Sequence, residues 1–284
     1  MIELEMEQAD FIDMIKKMAI PERSGEKPFF FPKIALTSLS DDEIEWIGKF
    51  QYGIAWVRVK CTLHTDISEP AQIPIDVSDF LKCLKSFRNK DMISFTHYPD
   101  QDDILTTERK KGKRIGRIVY TLRKTTVPTV RGILEELPFR FEKGTDIILY
   151  KNGLIEPNIY GSCDVQLFKD LINHVSVNKK LEKREKKKWV MSGLYNIYVD
   201  GENHQIKTVA GNEHCKSSIV DDKTDANVFG CGELHYTSVF AEVINLLSGE
   251  IKFYAVDNGP LWIMQDTNRM KIRYLIAPAP VYTF

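Results

Sequence analysis

Six histidines and five cysteines are the side chains of this 284-residue chain best able to hold a metal or act as nucleophiles, and their spacing suits neither task. His64, His97, His174, His204, His214 and His235 are dispersed, and the adjacent His214 and Cys215 would point to opposite faces of a strand. Cys61, Cys83, Cys163, Cys215 and Cys231 are odd in number and never form a C-x-x-C pair. Neither a disulfide framework nor a zinc site is expected, and reduced thiols in or near the cores are. The chain also has no glycine-rich phosphate loop, no G-x-S-x-G and no H-E-x-x-H. These absences lower the prior for an enzyme, and no metal or cofactor is expected.

Charge offers a different chemistry. With 39 basic against 40 acidic residues the net charge is -1, which excludes a protein that coats nucleic acid over its whole surface. Any phosphate contact must be a local patch. Lys82, Lys85 and Arg88 recur every three residues, a spacing that puts them on one side of a helix. The densest basic runs, Arg109 to Arg114 and Lys179 to Lys188, read as solvated loops or hairpin tips, with phosphate contact as the alternative.

The elements that must carry these residues follow from periodicity. Helices are predicted over about 9–19, 77–87, 164–175 and 237–247, with Ser78 and Asp164 as N-caps of the second and third. Phe80, Leu84 and Phe87 map onto Phe240, Ile244 and Leu247 at an offset of 160, and Ile93 and Phe95 onto Ile251 and Phe253 at 158. Phe11, Ile12, Ile15 and Ala19 fall on Leu167, Phe168, Leu171 and Val175 at 156. The chain therefore reads as duplicated. Strands are expected at 43–47, 54–63, 91–97, 102–108, 114–122, 145–150, 189–199, 204–210, 214–220, 250–256, 260–265 and 270–276, with loops at 21–33 and 157–163. Few short helices among many antiparallel strands make the class α+β.

Two domains are expected, residues 1–124 and 139–284, each large enough to bury a core. They are joined by a linker over 125–138 that is unusually apolar. No apolar run is long enough for a bilayer span and the N-terminus lacks a basic leader, so a soluble intracellular chain is expected, cytoplasmic or nucleoid, or nuclear if eukaryotic.

This plan resembles the sliding DNA clamps of the proliferating cell nuclear antigen type. The resemblance is carried by Lys82-Cys-Leu-Lys-Ser-Phe-Arg-Asn-Lys-Asp91, by Leu137-Pro-Phe139, and by Asn258-Gly-Pro-Leu261 followed by Met270-Lys-Ile-Arg-Tyr-Leu-Ile-Ala-Pro278. It covers nearly the whole chain in order, and each motif alone is weak. It implies a DNA-clamp fold and a processivity factor for DNA replication and repair. Three subunits of two similar domains would close into a ring with helices lining the hole and sheets outside. It implies duplex DNA, a clamp loader, DNA polymerase and other clamp-binding proteins as partners, and a homotrimer, with a heterotrimer as the alternative.

Carried over by position, Lys82 and Lys85 match the channel-facing lysines, Arg88 extends them, and Lys16, Lys17 and Lys169 are weaker candidates. The partner-peptide pocket would use Val130, Ile133, Leu134 and Leu137 of the linker with Pro260, Leu275, Ala277, Pro278 and Trp56. Ring closure would pair Arg117, Ile118, Val119, Tyr120 and Leu122 with Lys216, Ser217, Ser218, Ile219 and Val220 of the next subunit. The chain departs from the family at the fourth helix, which has no lysine or arginine and carries Glu242. Two alternatives follow from that departure: a heteromeric or checkpoint-type clamp subunit, and an interaction module that kept the fold and does not encircle DNA.

Overall fold

A computed structural model describes residues 2–18, 20, 22–24, 27–29, 33–40, 42–50, 52–65, 67, 71–73, 77–88, 90–97, 105–111, 114–116, 139–141, 148–150, 153–154, 156–182, 195–212, 215–220 and 227–279. The fold is mixed α+β, with antiparallel pairing throughout the described ladders and four helices among the described residues. Two compact units divide the chain. The first takes Met1–Phe50, Ile54–Ile155 and Thr267–Ile272, and the second takes Gln51–Gly53, Glu156–Asp266 and Arg273–Phe284. The main division falls between Ile155 and Glu156, so the described parts of 139–155 group with the first unit. The linker 125–138 lies outside the described residues.

The first unit opens with β1 (Ile2–Glu7), α1 (Gln8–Met18), the short hairpin β2 (Glu22–Ser24) and β3 (Lys27–Phe29), β4 (Lys33–Ser40), β5 (Glu43–Phe50) and β6 (Gly53–Lys60). It continues with β7 (Thr62–Leu63), β8 (Ala71–Ile73), α2 (Val77–Lys85), β9 (Met92–His97), β10 (Leu105–Lys111) and β11 (Arg114–Gly116). Three short strands, β12 (Phe139–Phe141), β13 (Ile148–Tyr150) and β14 (Gly153–Leu154), pair with one another. The second unit holds β15 (Ile159–Asp164), α3 (Val165–Glu182), β16 (Tyr195–Asp200), β17 (Gln205–Asn212), β18 (Cys215–Val220), β19 (Asn227–Phe229) and β20 (Cys231–Tyr236). It ends with α4 (Ser238–Leu246), β21 (Glu250–Ala255), β22 (Leu261–Asp266) and β23 (Met270–Ile276).

Apart from the β2–β3 hairpin and the β12–β14 group, the two units repeat one topology. Strands run in the order β7-β1-β9-β10-β11 in the first and β19-β15-β21-β22-β23 in the second; likewise β8-β4-β5-β6 matches β20-β16-β17-β18. Registers agree as well. Leu4 pairs with Phe95 as Gly161 pairs with Phe253. Leu4 faces Leu63 as Gly161 faces Val228, and His97 faces Leu105 as Ala255 faces Leu261. A one-residue slip would turn each buried face to solvent, so equal registers mean the same core faces are buried in both copies.

Each core is built around three phenylalanines. Phe11 of α1 meets Phe80 of α2 edge to face at 5.6 Å, and both lie 6.0 Å from Phe95 of β9. In the second unit Phe168 meets Phe240 at 5.7 Å and Phe253 at 5.6 Å. All six are buried. Phe11 thus corresponds to Phe168, an offset of 157 rather than the 156 read from hydropathy alone. The helix ends are held alike: Gln8 N donates to Asp91 O at 2.9 Å, as Val165 N donates to Gly249 O at 2.9 Å. In the first unit Gly48 lets α1 come close to β5, where a Cβ would lie 2.9 Å from Met18 Cβ.

Several sequence expectations are corrected. The supposed loop at 21–33 contains the β2–β3 hairpin, and the supposed loop at 157–163 contains β15. Strands β1, β4, β8, β12, β14, β19 and β20 were not foreseen. Asp164 does cap α3, accepting from Gln166 N at 2.8 Å, whereas α2 begins at Val77 and places Ser78 inside its first turn. Among the described residues no helix is long and apolar enough to cross a membrane.

Candidate nucleic-acid interface

The first helix pair carries its cations outward. Phe80, Cys83, Leu84 and Phe87 turn one face of α2 and its exit into the core, which leaves Lys82, Lys85 and Arg88 exposed on the other. Lys90, two residues beyond, is exposed as well and was missed because Asn89-Lys90-Asp91 reads as a turn. That turn is tied by Asp91 Oδ2, which accepts from Arg88 N at 2.9 Å. On α1, Lys16 is exposed and Lys17 half-buried. Gln8, at the start of α1, donates through Nε2 to Leu84 O (2.8 Å) and Phe87 O (3.3 Å), so the start of α1 lies against the end of α2. Of the acidic residues on α1, Asp10 is bound by Arg269 Nη1 at 2.9 Å. Exposed cations spaced along a helix can meet successive phosphate oxygens without reading bases.

The second helix pair is different. Lys169 is half-buried, and its Nζ donates to Leu247 O at 2.7 Å, where α4 ends. That ammonium satisfies an orphan carbonyl and opposes the negative end of the helix dipole. Asp170 accepts from Gln166 Nε2 at 2.8 Å, and α4 carries no basic residue. The exposed face of this pair is therefore neutral to acidic over its described side chains. The basic run Lys179 to Lys188 begins on the last turn of α3, seven residues longer than α1, and its side chains lie outside the described residues.

The pocket residues divide into buried and accessible. Leu275 and Trp56 are buried and present no surface, whereas Pro260, Ala277 and Pro278 are half-exposed. Val130, Ile133, Leu134 and Leu137 lie outside the described residues. Tyr52 was missed by sequence reasoning. It is 42 % exposed in a left-handed conformation (φ 63°), and its carbonyl accepts from Ala277 N at 2.8 Å, beside Pro278. That conformation costs a non-glycine residue free energy and persists only where its surroundings hold it there.

The edge residues are placed by backbone alone. Lys216, Ser217, Ser218, Ile219 and Val220 lie on β18, which ends its row with β17 as its neighbour among the described strands. β11 ends the other row of the first unit, and Arg117, Ile118, Val119, Tyr120 and Leu122, which follow it, lie outside the described residues.

Two of the cysteines are held in the thiol form by their surroundings. Burial, with Asp42 adding to it, pushes the Cys61 thiol up to about 12, and burial with Asp164 and Glu250 pushes Cys163 up to about 12. Both stay protonated near neutrality and are poor nucleophiles. No group of three or more metal-ligating side chains occurs among the described residues. No family model matches the chain, and no curated protein matches it.

Proposed function

We propose that this chain is a ring-forming sliding clamp, or a clamp-like subunit, that encircles duplex DNA and tethers polymerase or repair proteins through short peptides. The observation that carries the reading is the duplication: two units with the same strand order and the same registers. Repeated units joined head to tail can close a ring whose inner surface is nearly uniform, which suits a helical polyanion held by its backbone. Three chains would supply six units. β11 and β18 end their rows among the described strands and are the edges that would serve closure. Lys82, Lys85, Arg88, Lys90 and Lys16 would meet phosphates, and Tyr52, Ala277 and Pro278 would border the peptide site.

The test is native mass combined with topology. A trimer of the full chain that stays on nicked circular DNA and slides off after linearisation is expected. A strict monomer at micromolar concentration, with equal retention on both DNAs, would overturn the proposal.

A second reading is favoured by one observation. The second helix pair offers no exposed cation among its described side chains, with Lys169 bonded to Leu247 and α4 lacking basic residues. An interaction module of the same fold, or a subunit that needs different partner subunits to complete a basic channel, would show this asymmetry. Co-purification with a related chain would favour the heteromeric form.

A further inference from the structure

Four aromatic residues stand in direct cross-strand register on one sheet of the second unit. Phe229 of β19 pairs with Tyr160 of β15, Tyr160 with Tyr254 of β21, and Tyr254 with Trp262 of β22. At about 4.8 Å between strands the row spans about 15 Å. Its exposure is graded: Trp262 is buried, Tyr254 half-buried, and Tyr160 and Phe229 are 45 % and 40 % exposed. Tyr160 and Phe229 stack at 5.1 Å with 22° between their planes. His204 stands edge-on to Phe229 at 6.1 Å while its Nδ1 lies 3.1 Å from Val228 O.

The duplication supplies a control. By the shared registers, the same row in the first unit is His64, Glu3, Thr96 and Thr106. The fold does not need rings at these positions, because its other copy is polar there. Rings left half in water on one copy mark a docking surface.

Charge narrows the occupant. On the same face, four residues along from Tyr160 and Tyr254, the exposed carboxylates of Asp164 and Glu250 face each other directly. Like charges in that position repel. Between them and the rings, Lys252 is exposed and supplies one positive charge against two negative ones. Flat rings rimmed by phenol hydroxyls favour pyrrolidine and aliphatic groups on an extended backbone. We propose that the Tyr160–Phe229 row is a docking surface for an extended, proline-containing segment of a partner protein, with a lysine or arginine of that segment placed between Asp164 and Glu250. The proposal stands apart from the clamp reading, since it concerns an exposed sheet face and needs neither a ring nor DNA.

A phage-displayed random 16-residue peptide library, selected on the full chain and counter-selected on the Tyr160→Ser/Phe229→Ser variant, tests it. A thermal melt checks that the variant is folded, and Glu250→Gln provides a second, milder variant. Enriched peptides should combine proline or aliphatic residues with lysine or arginine. Their synthetic forms should bind the double variant at least about tenfold more weakly, and Glu250→Gln several-fold more weakly. Equal capture by wild type and double variant, or enrichment of acidic peptides, would overturn it. Self-association abolished by the double variant would overturn it in favour of a second copy, and loss of oligothymidylate binding in that variant would do so in favour of a single strand.

Discussion

Lys169 Nζ donates a 2.7 Å hydrogen bond to the carbonyl oxygen of Leu247, 78 residues further along the chain, at the end of α4. In the first unit the matching helix end is served by the neutral amide of Gln8, which donates to Leu84 O and Phe87 O. One copy thus uses an amide where the other uses a cation. Lys169→Met should cost about 1 kcal/mol of stability and leave the salt dependence of DNA association unchanged. Lys82→Ala/Lys85→Ala/Arg88→Ala should do the reverse, lowering the slope of log affinity against log salt by about 3 with little change in unfolding. Equal slopes for wild type and triple variant would remove these three residues from the interface.

The paired phenylalanine clusters make the duplication testable by energetics. Phe80 is buried against Phe11 and Phe95, and Phe240 is buried against Phe168 with Tyr195 and Tyr236 beside it. Phe80→Ala and Phe240→Ala should each cost about 3–5 kcal/mol through lost burial and the cavity left behind. Hydrogen exchange resolved by peptide should show the loss in β1, α1 and β9 for the first and in β15, α3 and β21 for the second. A difference of several kcal/mol between the two would mean that equal topology does not carry equal packing.

How much of this could be read from residues alone depended on how far apart the interacting groups lie. The helices were visible because Phe80, Leu84 and Phe87 recur at helical spacing, and Asp164 announced the start of α3 from one residue away. β1 was missed although Ile2-Glu-Leu-Glu-Met-Glu7 alternates strictly, because its glutamates drew attention to charge rather than to period two. β15 was missed because Gly161 and its short polar neighbours look like a loop; Gly161 is there because a Cβ would lie 2.5 Å from Asn227 O of the paired strand. Nothing local marks Lys169 as a helix cap, or sets Tyr160 opposite Phe229. Those relationships exist only once strands are paired, and they separate Lys169 from the exposed cations of α2.

Arg58 and Glu45 form a buried pair on neighbouring strands, with Nε 2.7 Å from Oε2 and both side chains nearly inaccessible. Glu45→Gln takes the charged partner away from a buried guanidinium, so it should destabilise by up to about 3–5 kcal/mol. Replacing both, as Glu45→Leu/Arg58→Met, should recover most of that loss, because a buried ion pair and well-packed apolar side chains are often close in free energy. Denaturant midpoints for the two variants decide it. A double variant as unstable as Glu45→Gln would mean that the pair's geometry, rather than its charge balance, is what the sheet needs.

Tyr236 gives the alkaline limit of the second unit. Its ring is fully buried, stacked on Phe240 at 5.7 Å, and its hydroxyl donates to Gly259 O at 3.1 Å. Burial pushes the phenol pKa far above its ordinary value, so the folded chain keeps the proton when the unfolded chain releases it near pH 10. Above that pH the unfolded state binds fewer protons than the folded one, and stability falls as pH rises, by up to about 1.4 kcal/mol per unit for this group. Below pH 9 the group contributes no pH dependence. Tyr236→Phe should therefore cost about 1 kcal/mol at neutral pH through the lost hydrogen bond, and should then lose less stability than wild type between pH 10 and 11.5. Parallel unfolding curves for the two proteins across that interval would show that the phenol is reached by solvent before the unit unfolds.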